Sequence, residues 1–348
     1  MKKTKVVKIG NLEVGGKNPI RIKGMLKTPT SKIDLLVKEA KLLAQEGTEA
    51  IRLAVEKEED AKIVKILKKQ ISIPIAADIH FKPQLAIAAI NNGFDQIRLN
   101  PLNISDKKDI KRIAQLAGEK NISIRVGVNS GGFRKASISE ADLAKQMVEK
   151  TINYIQLLES QKFFDIMVSL KCADITATVT ANKIFSKQSS YPLHLGITAT
   201  GSYLEGITKS SVGLGIMLQK GLGDIIRVSL TTDSVTEIKV AKYITQSLNL
   251  RKFGPEIISC PTCSRCRVNL PEIVDSFRKK LDEIKYRKPC KIAIMGCVVN
   301  GPGEAAQADL GVAFGKGEGV LFRNGKTFKK TSEDKIIDDL IKELKEYE

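Results

Sequence analysis

Gln96-Ile-Arg-Leu99 and Ile122-Ser-Ile-Arg-Val-Gly-Val128 are two short apolar runs, rich in β-branched residues, that flank a longer polar segment. Runs of this length and composition are typical of buried strands. The segment between them includes residues 107–120, which are rich in lysine and are interpreted as a helix with a solvated face. A strand, a helix and a second strand in this order predict two parallel strands joined by a crossover helix.

The same alternation extends over about the first 250 residues and fits eight strand and helix pairs. The predicted strands are residues 20–24, 50–54, 73–77, 96–99, 122–128, 165–170, 193–197 and 224–228. Amphipathic stretches such as residues 32–45 and 139–158 lie between them. Eight parallel units predict a TIM (β/α)8 barrel. A doubly wound open sheet competes with it, but the Gly-rich fingerprint expected after its first strand is missing from the sequence.

Two domains are therefore expected. The first is a barrel over residues 1–250, and the second, which follows a linker that contains Gly and Pro, is a small α+β iron-sulfur domain over residues 257–348. The second domain should open with a turn at Cys260, continue with a helix near residues 270–284, and enter a buried strand at residues 291–295. Arg323-Asn-Gly-Lys326 contains the Asn-Gly pair that favours a tight hairpin. An amphipathic helix is expected from Glu333 onwards.

Two cysteine motifs in the second domain predict an iron-sulfur site. They are Cys260-Pro-Thr-Cys263 and Met295-Gly-Cys297-Val-Val-Asn300-Gly-Pro-Gly-Glu304. Thiolates are standard ligands of such clusters, and a Cys-x-x-Cys turn allows two sulfurs to reach neighbouring irons. Three thiolates and one carboxylate would leave one iron open to chemistry. Cys266 offers an alternative, because an all-cysteine set with Cys266 in place of Glu304 would close that iron and favour plain electron transfer.

Composition limits the classes of function. The formal charge of +18 suits an anionic partner, but aromatic residues make up only 5% of the chain and Trp is lacking, so platforms for stacking nucleic-acid bases are scarce. No apolar run reaches the length of a membrane span, and the first residues do not form a signal peptide, so a cytoplasmic protein is expected. Six cysteines without a secretory signal favour metal or redox use over disulfides.

Unusual polar residues fall at the ends of the predicted strands, where TIM barrels place their active sites. The cations at these ends are mostly arginines, whose planar guanidinium group binds phosphate oxygens through two donors. The strands carry Arg52, Asp78, His80, Arg98, Arg125, Asn129, Lys171, Arg227 and Ser229. Together these residues predict a binding site for a polyanion. His80 is a better candidate for substrate contact than His194, which precedes an apolar run.

These motifs resemble those of the 4-hydroxy-3-methylbut-2-enyl diphosphate synthase family, the iron-sulfur enzymes of the methylerythritol phosphate route to isoprenoids. The resemblance covers nearly the whole chain. Its most specific parts are Ser259-Cys-Pro-Thr-Cys263-Ser-Arg and Met295-Gly-Cys297-Val-Val-Asn-Gly-Pro-Gly-Glu304-Ala, with Ala77-Asp-Ile-His-Phe81, Ile97-Arg-Leu-Asn-Pro101, Arg125-Val-Gly-Val-Asn129 and His194-Leu-Gly-Ile-Thr198 in the barrel.

The resemblance implies a reaction and a set of site residues. A [4Fe-4S] cluster would be held by Cys260, Cys263, Cys297 and Glu304, with Glu304 as the exchangeable ligand. The family opens the ring of 2-C-methyl-D-erythritol 2,4-cyclodiphosphate and removes a hydroxyl with two electrons from ferredoxin or flavodoxin. It implies a homodimer and catalytic roles for Glu304, Asp78 and His80. The implied substrate contacts are Arg52, Asp78, His80, Arg98, Arg125, Asn129, Lys171, Thr198, Lys209, Arg227, Ser229 and Asn300.

Three parts of the sequence depart from the family pattern. Ala199 stands where the family has a Glu that is proposed as a proton donor, and Glu205 follows six positions later. The first strand has Lys23-Gly-Met-Leu26 in place of Gln-Ser-Met-Thr, and Leu102 replaces a customary Gly. Other hypotheses therefore stay open beside the family reaction: reduction of another phosphorylated substrate, a closed-cluster or zinc protein with a different activity, or nucleic-acid binding through the basic charge.

Overall fold

The computed structural model describes residues 3–133, 138–298, 305 and 308–347, and divides the chain into two units, Met1–Arg251 and Lys252–Glu348. The first unit alternates strands and helices after a short antiparallel hairpin. Its strands are β1 Val7–Ile9, β2 Leu12–Val14, β3 Arg21–Met25, β4 Ala50–Val55, β5 Ile75–Ile79, β6 Gln96–Leu99, β7 Ser123–Asn129, β8 Ile166–Lys171, β9 His194–Leu195 and β10 Ile225–Ile226. Its helices are α1 Ile33–Gln45, α2 Glu58–Lys62, α3 Val64–Lys68, α4 Pro83–Asn92, α5 Lys107–Glu119, α6 Glu140–Ser160, α7 Ile175–Gln188, α8 Tyr203–Gln219 and α9 Ser234–Ser247.

Strands β3 to β10 form one parallel sheet in the order β8-β7-β6-β5-β4-β3-β10-β9. A parallel bridge between Val168 in β8 and Leu193 just before β9 joins the two ends of this sheet. The result is an eight-stranded barrel surrounded by helices, so the predicted TIM barrel is confirmed and the open doubly wound sheet is wrong. All eight predicted strands coincide with or overlap an observed strand.

The hairpin β1-β2 closes the amino-terminal end of the barrel. Ile9 and Val14 pack in one buried cluster with Met167 and Ile225, which lie near the beginnings of β8 and β10. The sequence prediction did not contain this hairpin, because strands of three residues are too short for an alternating pattern to stand out. Apolar side chains thus fill the amino-terminal end of the barrel, and the polar residues lie towards the carboxyl ends of the strands.

The second unit contains a five-stranded sheet in the order β11-β12-β13-β14-β15, packed with two helices. Its elements are β11 Glu256–Ser259, α10 Leu270–Glu283, β12 Lys291–Met295, β13 Leu310–Phe314, β14 Glu318–Arg323, β15 Lys326–Ser332 and α11 Ile336–Glu346. The hairpin β14-β15 turns at Asn324 and Gly325, which both have positive φ as a primed turn requires. The predicted hairpin, the helix near residues 270–284 and the strand at residues 291–295 are thus confirmed.

Candidate active site

Asp78, at the end of β5, lies between two arginines from the neighbouring strands. Arg98 Nη1 donates to Asp78 Oδ1 at 3.4 Å, and Arg52 Nη2 lies 3.5 Å from Asp78 Oδ2. Burial would raise the pKa of Asp78, but the charges of Arg52 and Arg98 outweigh it, and the pKa lies well below its ordinary value. The carboxylate therefore stays ionised and fixes the two guanidinium groups.

Both ring nitrogens of His80 lie within hydrogen-bond distance of a polar neighbour. Arg98 Nη1 lies 2.8 Å from Nε2, and Asn103 Nδ2 lies 2.9 Å from Nδ1. Because a guanidinium group can only donate, Nε2 is the acceptor in the contact with Arg98. The structure thus joins His80 to the same group as Asp78, as the sequence analysis proposed for these two residues.

Arg125 from β7 is buried, with a relative exposure of 2%, and contacts the neighbouring strand β8. Its Nη1 donates to Ser169 Oγ at 2.8 Å, whereas its Nε and Nη2 have no hydrogen-bond partner among the residues that the structure describes. The Nε atoms of Arg98 and Arg227 are likewise buried without a partner. Buried N–H groups without partners are rare in proteins, so these donors would suit a ligand that carries acceptor oxygens.

Two glycines make room for these cations. A Cβ atom on Gly127 would lie 2.6 Å from Arg98 Nε, and one on Gly196 would lie 2.7 Å from Lys171 Nζ. Any larger residue would displace the charged group beside it. Gly127 lies two residues after Arg125, and Gly196 lies two residues after His194. Because alternate residues of a strand face the same side, this spacing is the signal in the sequence that places both glycines on the inner face of the barrel.

Lys23 on β3 is a further buried cation of the barrel interior. In the sequence it stood out only as a difference from the family pattern. Its side chain is 1% exposed, and its Nζ donates to Gln96 Oε1 at 2.7 Å, while Gln96 Nε2 donates to Ser123 Oγ at 3.1 Å. Burial and the charges of Arg125 and Arg52 hold the pKa of Lys23 well below its ordinary value. Basic side chains are thus found inside the barrel as well as at the carboxyl ends of the strands.

Positive charge dominates this space. Six cations interact with one another there, and the carboxylates paired with them in the described part of the chain are Asp78 and Glu237. The six cations are Lys23, Arg52, Arg98, Arg125, Lys171 and Arg227. Burial, Arg125 and Arg227 lower the pKa of Lys171 well below its ordinary value, and burial together with Arg52 lowers the pKa of Arg227 to about 10. An anion with several charges would relieve this repulsion.

Several other predicted contacts lie near the strand ends. Asn129 pairs with Lys171 in the register of β7 and β8, Thr198 lies after β9, and Ser229 lies after β10. Lys209 differs from these, because it lies on the exposed face of α8, about two turns after the helix begins. Asn300 lies outside the described residues. The roles of these residues remain predictions.

The position that departs from the family Glu is exposed to solvent. Ala199 follows β9 with a φ of 50°, a left-handed conformation that is unusual for a residue with a Cβ atom. Glu205 lies on α8, is exposed, and accepts a hydrogen bond from Ser202 Oγ at 3.1 Å. This bond directs the Glu205 carboxylate to its own helix terminus.

The cysteine motifs lie on two loops that leave adjacent parallel strands. β11 pairs with β12, with Ser259 opposite Ile294, so Cys260 and Gly296 begin neighbouring loops. The N–H of Gly296 donates to Cys260 Sγ at 3.4 Å, which brings Cys297 into the same region. Cys263 is exposed and Cys260 and Cys297 are partly exposed, whereas the thiol of Cys266 donates to the carbonyl oxygen of Val268 at 3.3 Å.

This donor set fits an iron-sulfur cluster in its chemistry, because N–H groups that donate to ligand sulfurs are one of the features by which proteins tune such clusters. Glu304 lies outside the described residues. In the described ranges, no three His, Cys, Asp or Glu side chains lie close enough together to hold a single metal ion. Nor does any helix in those ranges combine the length and apolar character needed to cross a bilayer.

Comparison with protein families gives two matches, one for each unit. The GcpE TIM-barrel domain matches residues 4–242, and the GcpE protein C-terminal domain matches residues 256–346. The chain belongs to the GcpE family. The resemblance identified from its motifs is thereby confirmed.

Two relatives of this GcpE chain carry the same name. A protein from Caldanaerobacter subterraneus subsp. tengcongensis, named 4-hydroxy-3-methylbut-2-en-1-yl diphosphate synthase (flavodoxin), is 44% identical over 345 residues, which cover 99% of this chain and 97% of that protein. A protein of the same name from Caldicellulosiruptor saccharolyticus is 46% identical over 343 residues, which cover 98% of each.

Solved structures support the barrel fold alone. A dihydropteroate synthase from Stenotrophomonas maltophilia superposes with a TM-score of 0.55 at 15% identity, covering 71% of this chain and 98% of that chain. A dihydropteroate synthase from Coxiella burnetii gives a TM-score of 0.53 at 13% identity, with 71% and 99% covered. At such identities the similarity carries no information about the ligand.

Proposed function

We propose that this GcpE chain catalyses the reductive ring opening and dehydroxylation of 2-C-methyl-D-erythritol 2,4-cyclodiphosphate to 4-hydroxy-3-methylbut-2-enyl diphosphate in isoprenoid biosynthesis. The observation that carries the proposal is the group of buried arginines at the strand ends, whose unpartnered N–H groups match a diphosphate. The shared name of the relatives supports the same conclusion. The conversion takes up two electrons and two protons and releases one water molecule.

The barrel would bind the diphosphate through its cations. Arg98 and Arg125 would donate hydrogen bonds to the phosphate oxygens. Asp78 holds part of the Arg98 guanidinium group and Ser169 holds part of that of Arg125, and other N–H groups of both arginines have no partner among the described residues. Lys171 would supply a point charge beside them. Asp78, held ionised, would accept a hydrogen bond from a substrate hydroxyl, and His80 would orient Arg98 and lie beside the reacting carbon atoms. Asn129, Thr198, Lys209, Arg227, Ser229 and Asn300 complete the proposed contacts.

Cys260, Cys263, Cys297 and Glu304 would hold a [4Fe-4S] cluster. The cluster would supply the two electrons one at a time and, through the iron on the exchangeable Glu304, a Lewis acid for a substrate oxygen. The Gly296 N–H would stabilise negative charge on the Cys260 sulfur. Because the thiol of Cys266 donates to a backbone carbonyl, Cys266 is assigned a packing role.

The proposal also includes partners and location. Flavodoxin would donate the electrons, since the names of the relatives specify it. We further propose that the chain forms a homodimer, as the family resemblance implies, and that it is located in the cytoplasm.

The test begins with protein purified without oxygen. We expect reduced flavodoxin and the cyclodiphosphate to give 4-hydroxy-3-methylbut-2-enyl diphosphate, detected by mass spectrometry, and the EPR signal after dithionite reduction to shift when the cyclodiphosphate is added. Cys297→Ser is the inactive control. A cluster signal that does not respond to the cyclodiphosphate would contradict the proposed substrate, and protein that binds zinc in place of iron would contradict the reaction class.

A further inference from the structure

Glu237 is a buried carboxylate that the proposed reaction leaves without a role. It lies in the first turn of α9, outside the ring of strands, and its side chain is 1% exposed. Glutamate is almost never this deeply buried unless it is paired. Its contacts therefore indicate what it is retained for.

Its two oxygen atoms have different partners. Oε1 accepts from the N–H of Leu230 at 2.7 Å and lies 2.8 Å from Lys27 Nζ. Oε2 lies 3.8 Å from Arg227 Nη2, and no hydrogen bond reaches it from the residues that the structure describes. One oxygen thus holds the loops after β3 and β10, while the other faces the arginine at the strand end.

Arg227 needs a negative charge on this side. Burial and the nearby charge of Arg52 lower its pKa, whereas the charges of Glu237 and, to a smaller extent, Asp78 raise it. The Nε of Arg227 is buried and has no partner among the residues that the structure describes. Without Glu237 the guanidinium group would lose its paired carboxylate and keep the repulsion from Arg52, so its orientation would no longer be fixed.

We propose that Glu237 is a positioning residue that holds Arg227 in the orientation in which this arginine binds a phosphate group of the substrate. The inference rests on the proposed function, because it assumes that the ligand is a diphosphate. Glu237 itself does not touch the substrate, since a carboxylate next to a phosphate would repel it. Its effect passes through Arg227, so that replacement weakens substrate binding more than it slows the chemical step.

Glu39 on α1 provides a matched control. Its carboxylate accepts from the N–H groups of Lys27 and Thr28, at 3.0 and 2.9 Å, and is bonded to the Ser234 hydroxyl. It therefore anchors the same loop as Glu237 and also reaches the start of α9, but none of its described contacts is to a strand-end cation. A loss caused by a loosened loop would appear in both variants.

The test measures binding of the cyclodiphosphate by anaerobic calorimetry, together with kcat and KM, on the full cluster-containing protein. For Glu237→Gln we expect Kd and KM to rise about tenfold, as for loss of a charged partner, with kcat changed by less than about twofold. Glu39→Gln should change each value by less than about twofold. In an Arg227→Gln background, Glu237→Gln should have almost no further effect, because the group it positions is gone.

Three results would overturn the inference: equal losses in Glu237→Gln and Glu39→Gln, independent effects of Glu237→Gln and Arg227→Gln, or a lowered kcat at unchanged KM. If Glu237→Gln does not fold, Lys27→Met decides. It removes the other cation of this carboxylate and the two hydrogen bonds that Lys27 Nζ donates to the carbonyl oxygens of Leu230 and Thr232, so it loosens the loop while Arg227 keeps its carboxylate. Affinity should then be retained if Glu237 acts through Arg227, and should fall if Glu237 only anchors the loop. Wild-type protein that does not bind the cyclodiphosphate would refute the proposed function itself.

Discussion

The guanidinium group of Arg98 donates to the carbonyl oxygen of Gly127 at 2.9 Å across two neighbouring strands, and a Cβ atom on Gly127 would lie 2.6 Å from Arg98 Nε. The same glycine therefore accepts a bond from the arginine and leaves space for it. Because Asp78 fixes the other side of the guanidinium group, Arg98 cannot move without loss of an ion pair.

We predict that Gly127→Ala weakens binding of the cyclodiphosphate about tenfold or more, since the added methyl group displaces Arg98 from its place at the strand ends. Calorimetric titration measures the effect. Gly118→Ala is the control: Gly118 lies in α5, where a Cβ atom would come no nearer than 3.9 Å to Phe163, and alanine should leave Kd unchanged while stabilising the helix by about 0.5–1 kcal/mol. Equal Kd values for both variants would contradict the role of Gly127.

Asp78→Asn should destabilise the free protein by about 3 kcal/mol, because it leaves Arg52 and Arg98 without their shared carboxylate. Inorganic pyrophosphate should recover part of this loss, and should stabilise the variant more than the wild type. Urea unfolding with and without pyrophosphate tests both statements. Because the pKa of Asp78 is depressed, its stabilising effect is present above about pH 4 and disappears as the pH falls through the lower native pKa. The variant should lack this acid-dependent contribution.

Lys23 and Lys171 should make stability rise with pH. Their pKa values in the folded state lie well below the unfolded value near 10.4, so between the two values the unfolded chain binds more protons. Within this window each lysine raises the free energy of unfolding by about 1.4 kcal/mol per pH unit. Lys23→Met should be more stable than the wild type near pH 7 and should lose part of the slope. A slope unchanged in Lys23→Met would show that this lysine is charged in the folded protein.

Serine substitutions should separate the cluster ligands from Cys266. We expect Cys260→Ser, Cys263→Ser and Cys297→Ser to lose most bound iron and the visible absorbance of the cluster after anaerobic purification. Cys266→Ser should retain both, because its side chain donates to the carbonyl oxygen of Val268, a bond that a hydroxyl can replace. Iron loss in Cys266→Ser as well as in the other three variants would favour the all-cysteine ligand set.

Ala199→Glu tests proton delivery. The position is exposed and lies four residues after the end of β9, so a longer side chain has space there, although it inherits the left-handed backbone conformation. If no neighbouring residue replaces the acid, the carboxyl group should raise kcat several-fold and add an acidic limb to its pH profile. Ala199→Gln, which has the same shape without an acidic proton, should remain at the wild-type kcat. Equal kcat values in both variants would mean that proton delivery does not limit turnover.

The positions of the barrel strands could be predicted because each strand is marked by its own apolar run. The run at β6 was predicted with its observed bounds, and α6 to within two residues of each end, since buried parallel strands and amphipathic helices have distinct periods. The hairpin β1-β2 and the strand β11 were not predicted, because they are short and only partly buried, so no apolar run marks them as one marks the similarly short but fully buried β6.

The candidate site was predicted in part. Arg52, Asp78, His80 and Arg98 were expected at the strand ends from their positions in the sequence, and the structure brings them together. Glu237 was missed because it reaches the site from a helix, where a glutamate is ordinarily solvated.

The sequence by itself determined the barrel, the family and the two cysteine motifs, because each depends on local periodicity or on residues close together in the chain. Only the tertiary structure decided which charges share a partner: that Asp78 lies between Arg52 and Arg98, that Lys23 lies buried beneath the arginines, and that Glu237 faces Arg227. The physical reason is that charge interactions and burial depend on distances between strands, which the closure of the barrel sets and which no spacing along the chain records.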